Sequence, residues 1–319
     1  MSVQISKKVQ PFVSICVPAY KRIHFLKRLL VSIQIQTFKD FEVVITDDSS
    51  DNSVKVLIDE YKTSFDIKYF KNEKALGTPE NWNEGLRRAS GKWIKIVHDD
   101  DWFSQADSLE QFAKAAQENS GSFIFSGYWN QFLEENRTEK VIAGNARLKA
   151  VQKNAAVLFA SNIIGPPSVC MHVNDGKIFY DSKTKWLVDI DFYMRRLSRE
   201  KLVFINEPLM NVGMSAEQVT QMCFRNPEVE IPEHFHLLNK MNSGIFRNLF
   251  VYDAWWRLFR NLNIKSKEDV REAGYKEEVP AFLSKMIDFQ SAVPASLLQI
   301  GAFSKTLMFF HYIINRHNF

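Results

Sequence analysis

Short apolar segments alternate with helix-like segments over the first third of the chain, and this alternation constrains the fold more than any other feature of the sequence. The apolar segments are residues 12–17, 41–46, 67–70 and 92–98. Residues 24–36 and 52–61 carry apolar side chains at helical spacing, and a third helical segment begins near Gly77. Strands separated by helices of this length form βαβ units, whose strands are parallel. The sequence therefore predicts an α/β fold with a mostly parallel central sheet flanked by helices.

Acidic residues follow two of these predicted strands. Asp47 and Asp48 come after the second, and Asp99, Asp100 and Asp101 come after the fourth. Ligands of open α/β sheets bind at the carboxyl ends of the strands, so both clusters are expected at one sheet edge. Carboxylates there suit Mg²⁺ or Mn²⁺, which also take substrate phosphates as ligands. A solvated acidic turn that caps the next helix is the alternative, because Asp is common in turns and at N-caps.

Several other kinds of site and partner are disfavoured because their characteristic motifs or charge are missing from the sequence. The turn at residues 18–22 has neither a GxGxxG motif nor a P-loop. The formal net charge of +4 over 319 residues gives no reason to expect a nucleic-acid partner. The three cysteines lie far apart without a CxxC motif, which predicts buried free thiols rather than a zinc site. Residues 1–10 are polar and lack a signal-peptide core, so a cytoplasmic protein is expected.

Taken in order, the motifs of this chain resemble those of glycosyltransferase family 2, which has the GT-A fold. The matching pieces are Val13-Ser-Ile-Cys-Val-Pro-Ala-Tyr20, residues 36–50, Gly77 with Asn81 and Asn83, Ala89-Ser-Gly-Lys-Trp93, and His98-Asp-Asp-Asp-Trp102. They cover about the first 105 residues, and a looser resemblance continues from Gly165 to Leu197. The resemblance implies a GT-A-type, Rossmann-like domain that binds a nucleotide-diphosphate sugar.

The resemblance also assigns roles to residues of the nucleotide-binding half. It implies a base and ribose pocket lined by Pro18, Ala19 and Tyr20. It implies that Asp48 accepts a hydrogen bond from the base and that Asn81 makes another base contact.

The acidic motif carries the metal site that the resemblance implies. Asp100 would be the direct metal ligand, and Asp99 would lie near the ribose or the sugar. The family pattern Asp-x-Asp-Asp has His98 in place of its first Asp here. Asp99 and Asp101 therefore both remain candidates for the second acidic residue, and capping the next segment is an equal alternative for Asp101.

A second acidic segment, residues 185–197, resembles the family's Glu-Asp-x-Asp helix start, where a carboxylate serves as general base. Asp189 falls on that position, with Val188 where the family often has Glu, and Asp191 is the second choice. Alternatively, the two carboxylates only stabilise the N-terminus of a helix. Residues 211–214 stand where related enzymes often have an Arg-x-His contact to the metal or diphosphate, so that contact is expected to be absent or supplied elsewhere.

We predict a glycosyltransferase domain over residues 1–229 and a helical C-terminal region over residues 230–319. The nucleotide-binding half would cover about residues 10–105 and the acceptor half about 106–229, where the polar residues 136–141 are expected to form a loop. Residues 292–315 are apolar apart from interruptions such as Lys305, which predicts a core helix or a helix lying on a membrane surface. No uninterrupted apolar run is long enough to span a bilayer.

The predicted function is sugar transfer from a nucleotide-diphosphate sugar, with a UDP-sugar favoured, to a glycan or lipid-linked glycan. The family resemblance and a single base imply a metal-dependent, inverting reaction that uses Mn²⁺ or Mg²⁺. A sugar-1-phosphate nucleotidyltransferase is disfavoured because the turn at residues 18–22 contains no glycine. A non-catalytic nucleotide- or glycan-binding module that keeps the fold is the remaining alternative.

Overall fold

The computed structural model describes residues 10–214, 223–241 and 243–318. The polar N-terminal residues 1–9, for which no signal peptide was predicted, lie outside the described part. Two compact units divide the chain. The first contains residues 1–145, 164–182 and 195–215, and the second contains residues 146–163, 183–194 and 216–319. The predicted domain boundary near residue 230 stays a prediction.

All the described strands belong to the first unit. They are β1 (Val13–Ala19), β2 (Phe41–Asp47), β3 (Ile67–Lys71), β4 (Trp93–Ile96), β5 (Trp102–Phe103), β6 (Ser122–Phe132), β7 (Arg137–Val141), β8 (Cys170–Val173) and β9 (Lys201–Met214). The helices between its strands are α1 (Ile23–Gln34), α2 (Ser53–Asp59), α3 (Glu80–Arg88) and α4 (Ser108–Glu118).

The sheet follows the order β3-β2-β1-β4-β8-β6-β9-β5, with β7 paired to β6. Strands β1 to β4 are parallel to one another, as predicted, with Val13 opposite Phe41 and Cys16 opposite Ile96. The second half of the sheet mixes a parallel β6–β9 pair with antiparallel partners for β5, β7 and β8. The predicted α/β fold is confirmed, and its sheet is parallel around the first four strands and mixed beyond them.

Strand β1 is buried almost throughout because helices cover the parallel part of the sheet. Helix α3 packs closely on this strand at Gly85, where an added Cβ would lie 3.3 Å from the Cβ of Cys16. The thiol of Cys16 donates to the carbonyl of Gly85 at 3.5 Å. All three cysteines are free and buried, as predicted.

The prediction of a loop at residues 136–141 was wrong, because Arg137–Val141 forms strand β7 at the edge of the sheet. Four of its five side chains are exposed to solvent. A strand that buries neither face has no need for alternating apolar residues, so its sequence gives no strand signal.

The second unit is helical. Its elements are α5 (Asn145–Lys153, whose first residue belongs to the first unit), α6 (Val188–Leu197, whose last three residues belong to the first unit), α7 (Pro227–Asn239), α8 (Leu249–Asn261), α9 (Lys267–Glu272), α10 (Ala281–Ser291), α11 (Ala295–Leu298) and α12 (Gly301–Asn315). Helix α8 lies at the centre of its core and buries Trp255 and Trp256. Helix α12 packs on α8, where the indole of Trp256 donates to Ser304 at 3.0 Å and the hydroxyl of Tyr252 lies 2.5 Å from His311 Nδ1.

Candidate active site

The carboxyl ends of β1 and β2 are joined through Asp48. Its backbone N–H donates to the carbonyl of Ala19 at 3.0 Å. Its carboxylate accepts hydrogen bonds from the Asn72 side chain at 2.7 Å and from the backbone of Leu76 and Gly77 at 3.0 and 2.8 Å. A carboxylate has about four acceptor positions, so Asp48 fixes this loop and can still take one further donor. The assigned base contact stays a prediction.

Asn81 is buried on α3 and binds the same strand ends. Its amide donates to the carbonyls of Thr46 and Ala19 at 3.2 and 3.5 Å, and its side-chain oxygen accepts from Asn72 at 3.0 Å. These bonds hold α3 against the sheet edge. The contact between Asn81 and a base stays a prediction, and it would share a side chain whose amide nitrogen and oxygen both already make hydrogen bonds.

The predicted base and ribose pocket lies at the end of β1. Pro18 is half-buried and Ala19 is buried. Tyr20 is 51% exposed, with Lys21 Nζ 5.0 Å from its ring centroid. A largely exposed aromatic ring at a sheet edge can stack on a planar ligand, so the geometry is compatible with the predicted role.

The turn that follows β1 brings an arginine to the acidic cluster. Lys21 has a positive φ of 62°, its backbone N–H donates to Ser49 Oγ at 2.8 Å, and the Arg22 N–H donates to the carbonyl of Tyr20 at 2.7 Å. Left-handed backbone at a non-glycine residue is uncommon and often found at functional sites. This tight turn places Arg22 just before α1, with its side chain at the carboxylates after β4.

Arg22 binds two of the three consecutive carboxylates. Its guanidinium donates through Nη2 and Nε to Asp99, the latter at 3.3 Å, and through Nη1 to Asp100 at 2.9 Å. Burial raises the pKa of Asp99 to about 7, although Arg22 opposes this rise. Burial and the neighbouring Asp100 raise the pKa of Asp101 well above its usual range. The three carboxylates are thus held close together and away from solvent at a cost that a cation would offset.

Three side chains of this motif form a group that could hold a metal ion. His98, Asp100 and Asp101 each offer a ligand atom, and these atoms lie within 4.8 Å of one another. His98 Nε2 is buried and has no hydrogen-bond partner among the described residues. Burial lowers the pKa of His98 to about 4, so the imidazole is in the neutral form that binds metals. Two carboxylates and an imidazole fit a divalent cation, and the nitrogen favours Mn²⁺ over Mg²⁺.

The two candidates for the second acidic residue have different surroundings, and the choice between them stays a prediction. Asp101 lies in the group with Asp100, while Asp99 faces Arg22. The Asp101 carboxylate accepts from the Gly213 N–H at 3.0 Å and from the Ser168 side chain, and Ser168 Oγ in turn accepts from the His98 N–H at 2.9 Å. The group is therefore supported by β9 and by the segment before β8.

Residues 211–214 support the site through their backbone. From the sequence, they stand where related enzymes often have an Arg-x-His contact to the metal or diphosphate. They form the end of β9, which passes beside Asp100 so closely that a Cβ on Gly213 would lie 2.5 Å from the Asp100 carbonyl oxygen. Only glycine fits there without a shift of the backbone. The close strand donates the Gly213 N–H to Asp101, and the expectation about an Arg-x-His contact stays a prediction.

The second unit holds Asp189 and Asp191, both in the first turn of α6. One carboxylate oxygen of Asp189, Oδ1, is buried without a hydrogen-bond partner among the described residues. Burial raises the pKa of Asp189 to about 7. Asp191 is buried and pairs with Lys240 Nζ at 2.8 Å. The two carboxylates therefore differ: Asp191 has a counter-charge, and Asp189 is a poorly satisfied acid that ionises near neutral pH.

Glu233 on α7 holds the start of α6. Its carboxylate accepts from the backbone N–H groups of Lys185, Trp186 and Leu187 at 2.7, 2.9 and 2.8 Å. The first N–H groups of a helix have no partner within the helix, and a carboxylate there also complements the helix dipole. Glu233 thus fixes the turn that leads into Asp189.

A family model described as "Glycosyl transferase family 2" matches residues 14–190, which is more than half of the chain. The chain belongs to glycosyltransferase family 2. The matched segment contains every residue of the group formed by His98, Asp100 and Asp101, and it extends to the turn of α6 that carries Asp189.

Curated relatives of this family 2 chain are also glycosyltransferases. An uncharacterized glycosyltransferase of Haemophilus influenzae is 29% identical over 203 residues, which cover 61% of this chain and 66% of that protein. The GalNAc(5)-diNAcBac-PP-undecaprenol β-1,3-glucosyltransferase of Campylobacter jejuni is 38% identical over 93 residues, 28% of this chain and 30% of that protein. The chain thus spans just under two thirds of the first relative and less than a third of the second.

Solved structures of low sequence identity share the fold. S. aureus TarS 1-349, solved in complex with UDP, matches with a TM-score of 0.61 at 16% identity over 92% of this chain and 88% of TarS 1-349. The mannosyltransferase PcManGT from Pyrobaculum calidifontis, solved with GDP-Man and Mn²⁺, matches with a TM-score of 0.57 at 12% identity over 97% of this chain and 87% of that protein. The GT-A-type fold predicted for this family 2 chain is confirmed.

The close approach of β9 gives a first prediction for this family 2 chain. We expect Gly213→Ala to weaken Mn²⁺ binding about tenfold, because the added methyl must displace the Asp100 backbone that the metal group is built on. Titration of Mn²⁺ by electron paramagnetic resonance measures the affinity. Gly144→Ala is the matched control, because no atom lies within 4 Å of its added Cβ. Equal Mn²⁺ affinity in the two variants would contradict the prediction.

The contacts of Glu233 give a second prediction. We expect Glu233→Gln to lower the free energy of unfolding by about 1–3 kcal/mol, because one amide oxygen cannot accept all three backbone hydrogen bonds. If Asp189 acts as the base, kcat should fall with little change in the KM of the donor, because α6 loses its fixed start. Thermal unfolding and steady-state kinetics measure both effects. Glu228→Gln, on the exposed start of the same helix, should change neither.

Proposed function

We propose that this chain transfers a sugar from a nucleotide-diphosphate sugar to a hydroxyl acceptor, with inversion at the anomeric carbon and with Mn²⁺ or Mg²⁺ as cofactor. The observation that carries the proposal is the group of His98, Asp100 and Asp101 at the sheet edge where Asp48 and Tyr20 also lie. Family 2 membership supports the reaction class. The Mn²⁺ in the structure of the mannosyltransferase PcManGT supports the metal.

A UDP-sugar is the proposed donor. TarS, whose fold this chain shares, was solved with UDP and with UDP-GlcNAc. The GDP-Man complex of PcManGT makes a guanine nucleotide the alternative. In the proposed arrangement Tyr20 stacks on the base and Asp48 accepts a hydrogen bond from it, with Asp99 near the ribose.

The proposed reaction is a single displacement. A divalent cation bound by Asp100, Asp101 and His98 would act as a Lewis acid, because its positive charge would stabilise the leaving diphosphate. Asp189 removes the proton of the acceptor hydroxyl, which is too weak a nucleophile without a base. Its pKa of about 7, raised by burial, suits a group that must accept a proton near neutral pH and release it afterwards. Asp191 is assigned a supporting role, because Lys240 already neutralises it.

The proposed acceptor is a glycan or a lipid-linked glycan, as in polysaccharide biosynthesis. The name of the Campylobacter jejuni relative states a glucosyltransferase acting on a substrate linked to PP-undecaprenol. A hydroxyl on such a substrate has the chemistry that the proposed base requires.

Contact of the C-terminal region with the cytoplasmic face of a membrane is part of this proposal. Helix α12 buries one stripe against α8 and exposes apolar side chains elsewhere, namely Phe303, Phe309, Phe310, Ile313 and Ile314. Residues 289–319 contain Lys305 and Arg316 but no Asp or Glu. A segment that exposes apolar side chains and carries cations but no carboxylates suits the surface of an anionic bilayer. Among the residues described, no helix combines the length and apolar composition that crossing a bilayer requires.

The membrane contact predicts binding to anionic vesicles. The intact protein should float with phosphatidylglycerol vesicles in a density gradient, and Phe310→Glu should reduce the bound fraction about tenfold because it puts a charge among the exposed apolar side chains. Val56→Glu, which changes an exposed apolar residue of the first unit, is the control and should float normally. If the unmodified protein stays unbound, the proposed membrane contact is wrong.

Nucleotide binding is the experiment that tests the proposed function. Calorimetry of UDP, GDP, CDP and dTDP, each with and without Mn²⁺, should show one nucleotide that binds only with the metal. Release of that nucleotide from its sugar conjugate on adding acceptor then identifies transfer. Absence of binding under all conditions would favour the non-catalytic module.

A further inference from the structure

The guanidinium of Arg22 lies among the acidic residues and contacts two of their carboxylates. It makes two hydrogen bonds to Asp99 and one to the Asp100 carboxylate, the last at 2.9 Å. A planar guanidinium fits carboxylates and phosphates through the same paired N–H groups, which a lysine ammonium does not offer. Arg22 thus neutralises carboxylates that are themselves buried.

A second arginine near the cluster has a different and fixed environment. Arg28 donates to the backbone oxygen of Asp100 at 2.7 Å, and its guanidinium lies 3.5 Å from the ring centroid of Trp102. It binds no carboxylate of the motif through the contacts described. The Arg22 side chain, in contrast, is 30% exposed and can leave its partners without passing through the core.

Arg22 and a metal ion would compete for the carboxylate of Asp100. One of its oxygens accepts from Arg22, and a ligand atom of the same side chain lies with those of His98 and Asp101 in the group that could hold a metal. A divalent cation at Asp100 would lie a few ångströms from a guanidinium of the same sign. Repulsion at that distance is strong even at the dielectric of a protein surface.

We propose that Arg22 is an exchangeable counter-ion, which binds Asp99 and Asp100 in the free protein and moves its hydrogen bonds to the donor diphosphate when a metal ion takes Asp100. This proposal rests on the proposed function, since it requires a diphosphate ligand. Its consequence is cooperativity: the nucleotide draws Arg22 away from Asp100 and so strengthens metal binding, and the metal strengthens nucleotide binding by the same factor.

The test measures Mn²⁺ affinity by electron paramagnetic resonance without and with UDP, or with whichever nucleotide binds. Without nucleotide, Arg22→Met should bind Mn²⁺ about tenfold more tightly than the unmodified protein, because the competing charge is gone. Arg22→Lys keeps the charge and should stay near the unmodified affinity. Arg87→Met is the control, since Arg87 pairs with Glu80 and Glu84 on the exposed side of α3, and it should leave Mn²⁺ affinity unchanged.

With UDP present, the ratio of Mn²⁺ affinities with and without nucleotide should be smaller in Arg22→Met than in the unmodified protein. UDP affinity at saturating Mn²⁺ should also fall about tenfold, because the phosphate loses a charged donor. Unchanged Mn²⁺ affinity in Arg22→Met, with the variant folded by circular dichroism, would overturn the proposal. If Arg22→Met does not fold, Arg22→Gln replaces it in the same titrations.

Failure of this proposal and failure of the proposed function give different results. Should the unmodified protein transfer sugar while Arg22→Met binds Mn²⁺ normally, the counter-ion exchange is wrong and the transferase stands. Should Arg22→Met bind Mn²⁺ more tightly while the unmodified protein binds no nucleotide, competition at Asp100 stands and the proposed function fails.

Discussion

Asp100→Asn is expected to lower the rate of sugar transfer about a thousandfold and to remove the dependence of nucleotide binding on Mn²⁺. Asp100 is the side chain shared by the metal group and by Arg22, so an uncharged amide weakens the metal site at its centre. Loss of a Lewis acid that stabilises a leaving diphosphate costs several kcal/mol of transition-state stabilisation, which corresponds to a factor of about a thousand. Single-turnover transfer and calorimetry with Mn²⁺ measure the two effects.

The fold should survive this change, because replacing one of three adjacent carboxylates lowers their mutual repulsion and Arg22 keeps its bonds to Asp99. Asp107→Asn is the matched control. Asp107 is exposed, lies just beyond the same motif and contacts Gln111 at 3.0 Å. Full Mn²⁺-dependent binding by Asp100→Asn would place the metal at other residues.

Asp189→Asn is expected to lower kcat by about a thousandfold, within the range known for general bases, with little change in donor binding. The pH dependence should identify the group. With a pKa of about 7, Asp189 gains its negative charge as the pH rises through neutrality, so kcat of the unmodified protein should rise there and then level off. Asp189→Asn should show a low rate without this rise.

The same substitution should stabilise the protein at alkaline pH. Burial holds the pKa of Asp189 at about 7 in the folded chain, above the value of about 4 for an unfolded Asp, so the unfolded chain ionises more readily. Ionisation of Asp189 therefore opposes folding increasingly from about pH 4 to pH 7 and fully above pH 7. Asp189→Asn should raise the unfolding temperature at about pH 8 and leave it unchanged at or below about pH 4.

Asp191→Asn, two residues further along the same helix, should behave in the opposite way. It removes the ion pair between Asp191 and Lys240, so it should lower the unfolding temperature while keeping most of the pH-dependent activity. If Asp189→Asn retained a normal rate, the base would have to be another residue, and Asp191 would be tested next.

The strands and the sheet edge that carries the acidic residues could be predicted from the sequence, because they depend on the local hydrophobic pattern and on the sheet topology. Strands β1, β2 and β4 are mostly apolar, apart from Ser14, Glu42, Lys95 and the polar end of β2, because both faces of the parallel sheet are covered, so they were readily found. Once these strands are parallel, the residues after them must meet at one edge, which predicted that Asp48 and Asp100 lie at the same edge. The family resemblance then supplied roles that the pattern alone could not.

Arg22 and Glu233 were not identified as site residues from the sequence, because each contacts a residue that is far away along the chain. Arg22 meets Asp99 across 77 positions, and Glu233 meets Leu187 across 46. The two residues of each pair are too far apart in the sequence for the spacing within a helix or a strand to predict their contact. The positive φ of Lys21, which aims Arg22 at the cluster, occurs at a residue type that gives no turn signal. Strand β7 escaped prediction for a different reason, since its side chains face solvent.

The buried thiol of Cys16 provides a chemical reporter for the nucleotide-binding half. Cys16 is a residue of β1, and its side chain is 1% exposed where the strand contacts α3. Burial together with Glu42 holds the pKa of this thiol far above the ordinary range. Thiol reagents attack the thiolate, so Cys16 should react only when this strand and helix separate. A ligand that binds the closed state slows such openings in proportion to its saturation. The labelling rate of this one cysteine, followed by mass spectrometry, can therefore rank donor nucleotides before any acceptor is known.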